Sequence, residues 1–362
     1  MNILFVTPHM VTGGAEKMIT DLSKGLLSKG HTVGIATSGG HLLEEMAEAG
    51  AKIHVNPLLA QRKPFQVFRS GLWLSRVIRK HRYQVINSHS LITTWMSKLG
   101  STLSLQFPQK IFTMHLIENP NVFRYIRIMT RFTTDAIITV SDSNKKRLID
   151  AGVSSQKIHV VHNGINIGKF PYIKRKQSST LTIGIIARLI PRKGHEIFFN
   201  AISNVDKKIK GDWARVLVIG WGPLEKQLQM LCSQLQINHI VEFLGDRHDV
   251  PELLEQMDTL TLPSYYEGFP IAIMEGMSTG VTVIATAVDG IPEIIEHEKN
   301  GLLIHPGNIE ELERAIERVN ASYELRTQLG RAASEIVQSN FSTEKMTVNT
   351  ERVFNTILKS TA

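Results

Sequence analysis

Cysteine is almost absent from this sequence, which has a single one, Cys232, in 362 residues. One thiol excludes an intrachain disulfide and a zinc site built from several cysteines, so we expect a reducing, cytoplasmic compartment. The chain begins MNILFVTP, with neither a basic leader nor a cleavable signal pattern. No apolar run reaches the ~18 residues that a membrane-spanning helix needs, so we expect the chain not to cross a bilayer.

Motifs of cofactor and metal chemistry are missing as well. The first glycine-rich loop, TPHMVTGGAEK, is not the G-x-G-x-x-G dinucleotide fingerprint, which removes the main support for a nicotinamide-dependent enzyme. No G-x4-G-K-[ST] phosphate loop occurs. There is no D-x-D either, so a metal ion bridging a diphosphate is not indicated, and we expect neither a metal nor a cofactor.

Carboxylates are missing from one long stretch of the chain. Residues 49–117 contain none, yet they carry ten Lys or Arg. Up to Gly168 the formal net charge is +11, and from Lys169 onward it is −3. We expect the first half to meet an anionic surface. Because no recognisable nucleic-acid module accompanies this charge, no nucleic-acid partner is expected.

Two segments of this half mix basic with apolar and aromatic residues. Residues 61–83 carry seven Lys or Arg among Phe, Trp, Leu, Val and Ile, and residues 121–132 repeat the pattern with three Arg. Such segments suit the surface of an anionic membrane. Apolar side chains packed on a sheet beside solvated basic ones give the same pattern, and the sequence does not decide between the two.

Short β-branched runs alternate with helix-length amphipathic segments along the chain. This rhythm predicts an α/β protein with parallel sheets covered by helices on both faces. It restarts after residues 168–180, a polar and basic stretch that is the expected linker. We predict two Rossmann-like, doubly wound domains facing across a cleft, over residues 1–168 and 169–342. A closing helix, residues 343–358, is expected to pack back on the first domain.

Two basic residues follow the first strand of the second domain. Arg188 lies at the end of that strand, and Lys193 comes five residues later, before Gly194. Cations at the mouth of a strand can clamp a diphosphate and offset the charge of a leaving group. A solvated basic turn is the simpler alternative.

The segment SYYEGFPIAIMEGMSTG places one carboxylate in a loop and another on a helix. Glu267 precedes Pro270, which suits the first turn of a helix, and Glu275 lies on that helix. The N–H groups of Phe269 and Ile271 lie near the positive end of the helix dipole. This combination suits a nucleotide sugar, with Glu275 at the ribose, the amides at the phosphates and Glu267 at the sugar. Solvent-facing carboxylates at an ordinary helix start show the same spacing.

In this order the chain carries GGAE, VHNGIN, ARLIPRKG, GWGP, FLG and EGFPIAIME. The set resembles the retaining nucleotide-sugar glycosyltransferases of family 4, which have the GT-B fold, and the similarity extends over essentially the whole chain. The resemblance implies transfer of a sugar from a nucleoside diphosphate donor, in the assembly of cell-surface polysaccharide or glycolipid. A lipid-linked or saccharide acceptor fits a protein held peripherally on the inner face of the membrane.

The resemblance also implies a role for each matching residue. Arg188 and Lys193 match the pair that grips the donor diphosphate, and Gly14 matches a glycine that approaches the donor from the N-terminal domain. Glu275 matches the carboxylate that binds the ribose. Glu267 matches the carboxylate near the transferred sugar, and we class it as catalytic.

Other positions carry weaker signals. His115, at the end of a candidate strand, matches a histidine that often lines the reaction centre, and we class it as catalytic too. A strand-end histidine with a local partner is the alternative. Base recognition is expected from the backbone of Leu244 and Gly245. The family often has Asp at the position of Asn166 and Gly at that of Ala187, and the first departure weakens a specific role for Asn166.

Two other functions share these features. A GT-B sugar-nucleotide 2-epimerase would use the same cleft and need no acceptor, and a non-catalytic binding module would need neither donor nor acceptor chemistry. Transfer releases free nucleoside diphosphate, whereas epimerisation alters the sugar nucleotide. The EGFP…E segment together with the Arg188 and Lys193 pair favours transfer.

Overall fold

The computed structural model describes residues 1–119, 121–209 and 211–359, which form two compact units. The first unit comprises Met1–Gly164 and the segment from Thr343 onward, and the second comprises Ile165–Ser342. Each unit has a parallel sheet with helices packed on it, which confirms the predicted α/β class with two Rossmann-like, doubly wound domains. In the described ranges, no helix is both long and apolar enough to cross a bilayer.

The first unit is built on a seven-stranded sheet with the order β3-β2-β1-β4-β5-β6-β7. Its strands are β1 (Asn2–Val6), β2 (Thr32–Thr37), β3 (Lys52–Val55), β4 (Val85–Ser88), β5 (Gln109–Met114), β6 (Ala136–Thr139) and β7 (Ile158–Val160). Its helices up to Gly164 are α1 (Gly14–Ser28), α2 (Leu43–Glu48), α3 (Pro64–His81), α4 (Leu91–Ser104), α5 (Asn121–Thr133) and α6 (Asp142–Asp150). The chain winds outward from β1 to β3 and then restarts at β4 on the other side of β1, so the winding direction switches between β1 and β4.

The second unit repeats this plan with six parallel strands in the order β10-β9-β8-β11-β12-β13. The strands are β8 (Leu181–Ile186), β9 (Ala214–Ile219), β10 (Val241–Gly245), β11 (Thr259–Leu262), β12 (Thr282–Thr286) and β13 (Leu302–Ile304). The helices are α7 (His195–Lys208), α8 (Glu225–Gln234), α9 (Val250–Glu255), α10 (Ile271–Ser278), α11 (Ile309–Ala321) and α12 (Tyr323–Asn340). Here the winding direction switches between β8 and β11.

The sequence forms these layers because central strands such as β1 (NILFV) and β8 (LTIGII) consist mainly of apolar residues. A strand of a parallel sheet with helices on both faces buries successive side chains on both sides. Phe5 in β1 and Ile183 in β8 are accordingly fully buried. Cys232 on α8 belongs to the core of the second unit and is 1% exposed, and burial raises the pKa of its thiol to about 12.

The polar stretch of residues 168–180 lies in the second unit, and the chain passes between units earlier, between Gly164 and Ile165. The stretch is held by Arg175, because a guanidinium carries several donors that can satisfy loop carbonyls. Arg175 donates to the carbonyl oxygens of Leu254 (2.9 Å), Glu255 (2.6 Å) and Thr279 (2.9 Å). Its own carbonyl accepts a hydrogen bond from the Tyr323 hydroxyl at 2.8 Å.

The closing helix, α13 (Thr343–Lys359), packs against α1 in the first unit. Glu351 on α13 accepts from Lys29 at 2.8 Å and lies 2.9 Å from His31 Nε2. Thr347 lies against Gly25, where even a Cβ atom would collide with its side chain. The chain therefore returns to its first unit after completing the second.

Replacing Gly194 with alanine is predicted to destabilise the second unit more than replacing Gly211. Both have positive φ, +71° and +85°, so both substitutions carry a left-handed strain of ~1–2 kcal/mol. A Cβ on Gly194 would also lie 2.0 Å from the Pro263 carbonyl oxygen, and such overpacking adds ~1–3 kcal/mol, whereas the space beside Gly211 is open. Urea-dependent labelling of Cys232 measures this difference, because that thiol reacts only when the second unit opens. Equal labelling midpoints for the two variants would contradict it.

Candidate functional site

The loops after the strands of the second sheet meet at one edge, because all six strands are parallel. Open α/β sheets bind ligands beyond the carboxyl ends of their strands, where the winding direction switches. The loops at this switch follow β8, over residues 187–194, and β11, over residues 263–270. They contain Arg188, Lys193 and Glu267, so the structure brings these three predicted residues to one place.

Lys193 and Glu267 join the two loops through a largely buried ion pair. Lys193 Nζ donates to Glu267 Oε1, and the two side chains are 13% and 6% exposed. Ser264 Oγ donates to the same carboxylate oxygen at 2.7 Å. The backbone N–H of Glu267 donates to Asp289 Oδ2 at 2.8 Å, in the loop after β12. Contacts from three loops therefore fix Glu267, and its buried charge is balanced by a cation.

Arg188 has an aromatic partner instead of a carboxylate. Its guanidinium carbon lies 5.0 Å from the centroid of the Trp221 ring, which is within cation–π range. In the described part of the chain, no carboxylate pairs with it. Trp221 is 40% exposed and Arg188 is exposed as well. The guanidinium charge is therefore held in place on an accessible surface without being neutralised.

The GWGP turn after β9 places Trp221 against Arg188. A Cβ on Gly220 would lie 2.0 Å from the Ala187 carbonyl oxygen, and one on Gly222 would lie 2.4 Å from that of Leu189. The two loops thus pack backbone against backbone, which only glycine permits. The Leu189 N–H donates to the Trp221 carbonyl oxygen at 2.9 Å and ties the loops together.

Helix α10 begins directly after the loop that carries Glu267. Pro270 is extended, with φ −73° and ψ 118°, and Ile271 is the first helical residue. The first turn of a helix has N–H groups without intrahelical partners, and proline has no side chain to cap them. Phe269 is buried, with its ring 5.3 Å from that of Phe341. Glu275 lies one turn into the helix and is 3% exposed, so it is not a solvent-facing carboxylate.

The predicted base-binding pair, Leu244 and Gly245, ends the edge strand β10. Its pairing with β9 is irregular between Phe243 and Gly245. The Gly245 carbonyl accepts a hydrogen bond from the Gly220 N–H at 2.8 Å. The structure therefore places this pair beside the GWGP turn, on the β9 side of the switch.

In the first unit, Gly14 follows β1 and begins α1. Within the described residues, a Cβ on Gly14 would meet no atom within 4 Å. Packing inside the chain therefore does not require a glycine at this position. The role of Gly14 at a donor therefore stays a prediction.

His115 directly follows β5 and has a partner that the sequence analysis missed. His89, directly after β4, places its Nδ1 2.9 Å from His115 Nε2, and the rings stack with centroids 5.2 Å apart. Burial lowers the pKa of His115 to about 4. Burial and the neighbouring His115 lower the pKa of His89 well below its usual value. Both imidazoles are therefore neutral at pH 7.

Three further residues of the site also went unrecognised. Asp289 and Ser264 fix Glu267, and Trp221 holds Arg188. Asp289 adopts a left-handed φ of +48°, which Asp tolerates better than most residues. The only available signals were an Asp-Gly pair after a strand and the tryptophan of the GWGP turn, and neither specifies a contact.

Comparison with known proteins identifies a family in both halves of the chain. The family described as Glycosyltransferase Family 4 matches residues 12–169, and the family described as Glycosyl transferases group 1 matches residues 169–336. An uncharacterized glycosyltransferase of Methanocaldococcus jannaschii is 30% identical over 251 residues, which cover 67% of each chain.

Two further comparisons concern proteins with a named substrate or a bound ligand. The UDP-Gal:alpha-D-GlcNAc-diphosphoundecaprenol alpha-1,3-galactosyltransferase of Escherichia coli is 24% identical over 79% of each chain. The Anabaena protein HepE, solved in complex with UDP-glucose, superposes with a TM-score of 0.85 at 21% identity, over 98% of this chain and 100% of that one. The structural likeness supports the same two-domain fold.

Removing one partner of the Lys193–Glu267 pair is predicted to destabilise the second unit strongly. Lys193→Met leaves a buried carboxylate without its cation, which typically costs ~3–5 kcal/mol. The double variant Lys193→Met/Glu267→Gln removes both charges and is expected to recover at least half of that loss. Urea-dependent labelling of Cys232 measures the native chain, the single variants Lys193→Met and Glu267→Gln, and the double variant. Additive effects of the two substitutions would show that the pair does not stabilise the loops.

Proposed function

Because this chain belongs to the group 1 glycosyltransferases, we propose that it transfers a sugar from a nucleoside diphosphate donor to an acceptor with retention at the anomeric carbon. The observation that carries this proposal is the group of charges at the β8–β11 switch. Arg188 is cationic and held without a carboxylate partner in the described chain, next to the buried Lys193–Glu267 pair. The UDP-glucose complex of HepE supports a nucleotide-sugar donor.

The reaction needs positive charge where the leaving group departs. Breaking the bond to the anomeric carbon places negative charge on the nucleoside diphosphate, and fixed donors stabilise such charge best when they are already oriented. In this proposal Arg188 and Lys193 bind the diphosphate, with the N–H groups at Phe269 and Ile271 beside Pro270. These groups take the place of a bridging metal ion, so the reaction is metal-independent.

The remaining site residues recognise the rest of the donor. Glu275 accepts hydrogen bonds from the ribose hydroxyls, and its burial keeps water from competing for them. Glu267 binds hydroxyls of the transferred sugar, with Lys193 fixing its orientation. The backbone of Leu244 and Gly245 contacts the base.

For the acceptor we propose a glycan carried on a lipid, in polysaccharide or glycolipid assembly. The Escherichia coli relative is named for an acceptor linked to diphosphoundecaprenol, which supports this choice. Such an acceptor requires the enzyme to work at a membrane surface, and the first unit has a surface with suitable chemistry.

This surface lies on the helical layer formed by α3, α4 and α5. Helix α3 packs on α4, where Gly71 meets Leu99, and Trp95 of α4 donates to the Tyr125 hydroxyl of α5 at 2.7 Å. We define the basic–aromatic face as the exposed apolar and arginine side chains of the three helices. They are Phe65, Phe68, Arg69, Leu72, Arg76, Arg79, Trp95, Arg124, Tyr125, Arg127, Ile128, Arg131 and Phe132.

The composition of this face supports an anionic lipid surface as its partner. Residues 49–134 carry 13 Lys or Arg and one carboxylate, Glu118. Some apolar residues of these helices, such as Leu74 and Ile126, are buried, but Phe65 and Phe132 are 69% and 62% exposed. Each cation near an anionic membrane contributes ~1 kcal/mol, and exposed aromatic rings can enter the interface.

Replacing Arg188 or Glu275 with alanine is predicted to abolish sugar transfer while leaving the fold intact. Loss of one group that stabilises a developing charge, the role proposed for Arg188, typically lowers kcat by ~10²–10³-fold. Loss of Glu275 removes the proposed contact with the ribose hydroxyls, so the donor is no longer held in place. The measurement is release of nucleoside diphosphate, using the donor chosen by thermal shift across UDP-, GDP-, ADP- and dTDP-sugars. Arg215→Ala is the matched control, because Arg215 is exposed near the amino end of β9.

Each outcome of this assay has a defined meaning. Near-normal turnover by Arg188→Ala or Glu275→Ala would overturn the proposed site. An altered sugar nucleotide without free diphosphate would indicate the epimerase instead of the transferase. Loss of activity in EDTA that Mg²⁺ restores would contradict metal independence.

The triple variant Phe65→Ser/Phe68→Ser/Phe132→Ser is predicted to lose binding to vesicles that contain an anionic phospholipid. The expected decrease is at least ~10-fold in partition coefficient, because three exposed rings no longer enter the interface. Co-sedimentation at low salt measures it, and the matched control replaces two exposed residues of the second unit, Met230 and Ile336, with serine. Equal recovery of the native chain on neutral and anionic vesicles would contradict the proposal.

A further inference from the structure

His89 retains a buried polar atom that its surroundings do not satisfy. In the described chain, its Nε2 is inaccessible to solvent and has no hydrogen-bond partner. The other ring nitrogen bonds to His115, and the ring also packs 5.6 Å from that of Phe5. An unpaired polar atom in such a place destabilises a protein, and a phenyl ring would avoid the loss. Packing therefore does not explain a histidine at this position.

The location of His89 suggests a different explanation. It follows β4, at the switch between β1 and β4. Its backbone N–H donates to the Val6 carbonyl oxygen at 3.0 Å. Gly14, with its open surroundings, follows β1 on the other side of this switch. His89 thus lies at the edge where a doubly wound sheet receives a ligand.

Resting on the glycosyltransferase function proposed above, we propose that His89 is a positioning residue, which holds the His115 ring and fixes its tautomer so that His115 Nδ1 carries the proton. Because His115 Nε2 is occupied by His89, Nδ1 is the nitrogen left to meet a substrate. His115 then enters the reaction as a neutral hydrogen-bond donor toward an oxygen of the sugar or acceptor.

The unpaired Nε2 of His89 determines the direction of the hydrogen bond. If His115 donated through Nε2–H, His89 would carry its own proton on its buried Nε2, as a donor with no acceptor. If His89 donates through Nδ1–H, its Nε2 is a bare acceptor, and under-satisfied acceptors are the more common state in folded proteins. In a neutral histidine, the hydrogen bond made by one nitrogen sets the state of the other. The His115 proton is therefore placed on Nδ1.

Two substitutions at His89 separate packing from positioning. His89→Phe keeps an aromatic ring against Phe5 and His115 but removes the hydrogen bond. We expect an unchanged or higher thermal midpoint, with kcat lowered at least ~10-fold and the donor KM changed less than ~3-fold. His89→Gln restores an N–H donor and is expected to recover part of kcat. His239→Gln, at an exposed histidine of the second unit, is the matched control.

Long-range ¹H–¹⁵N correlation spectra of the histidine rings give a readout independent of activity. The His115 signals are those that vanish in His115→Gln. We expect Nδ1 to be protonated and Nε2 to be a bare acceptor in the native chain, and this tautomer to be lost in His89→Phe. If His89→Phe does not fold, His89→Met, which also lacks the hydrogen bond, takes its place.

The results distinguish failure of this proposal from failure of the function on which it rests. A native chain that releases no nucleoside diphosphate from any donor would overturn the transferase, whereas the ring spectra still test the tautomer. Full kcat in His89→Phe beside an active native enzyme would overturn the positioning role. Protonation of His115 at Nε2 in the native chain would do so as well.

Discussion

The buried ion pair between Lys193 and Glu267 is the contact on which the arrangement of the second unit's carboxyl edge depends. It joins the loop after β8 to the loop after β11, across the point where the winding of the sheet changes direction. Ser264 and Asp289 add hydrogen bonds to the same glutamate. Both side chains are largely shielded from water, so removing either partner leaves the other charge poorly solvated and uncompensated.

This pair also explains why the two cations of the same loop behave differently. Lys193 is neutralised inside the chain, whereas Arg188 rests on the face of Trp221 and keeps its charge. In the proposed reaction, a diphosphate at this edge would compete with Glu267 for Lys193, whereas no carboxylate of the described chain pairs with Arg188. Arg188 therefore offers the stronger attraction to an anion, and Lys193 couples anion binding to the position of a carboxylate.

Much of the architecture follows from local sequence, because the spacing of apolar residues in a strand or an amphipathic helix shows which of its faces is buried. The parallel α/β class and the strands that precede Arg188 and His115 were predictable on that basis. Residues 168–180 were interpreted as a linker because they are polar and lack periodicity. The fold instead uses Arg175 there to bind carbonyl groups more than 70 residues away in sequence, and composition does not record such contacts.

The candidate site was predictable to the extent that its chemistry lies in short segments. Glu267 and His115 could be identified from the sequence, but their partners could not. The backbone of Glu267 contacts Asp289 from another loop, and His115 contacts His89, which follows the neighbouring strand. A strand-end histidine such as His89 has the same local sequence whether it packs or positions a neighbour. Distinguishing the two requires knowing that its Nε2 is buried without a partner, which is a property of the assembled fold alone.

The two switch points differ in the charge of the side chains that lie there. At the second sheet the loops are joined by opposite charges, whereas at the first they carry two neutral imidazoles, because burial keeps both rings unprotonated. A cationic edge favours an anion such as a diphosphate, and a neutral donor favours an uncharged oxygen such as a hydroxyl. Each unit therefore offers a switch point of its own chemical character, charged in the second unit and neutral in the first.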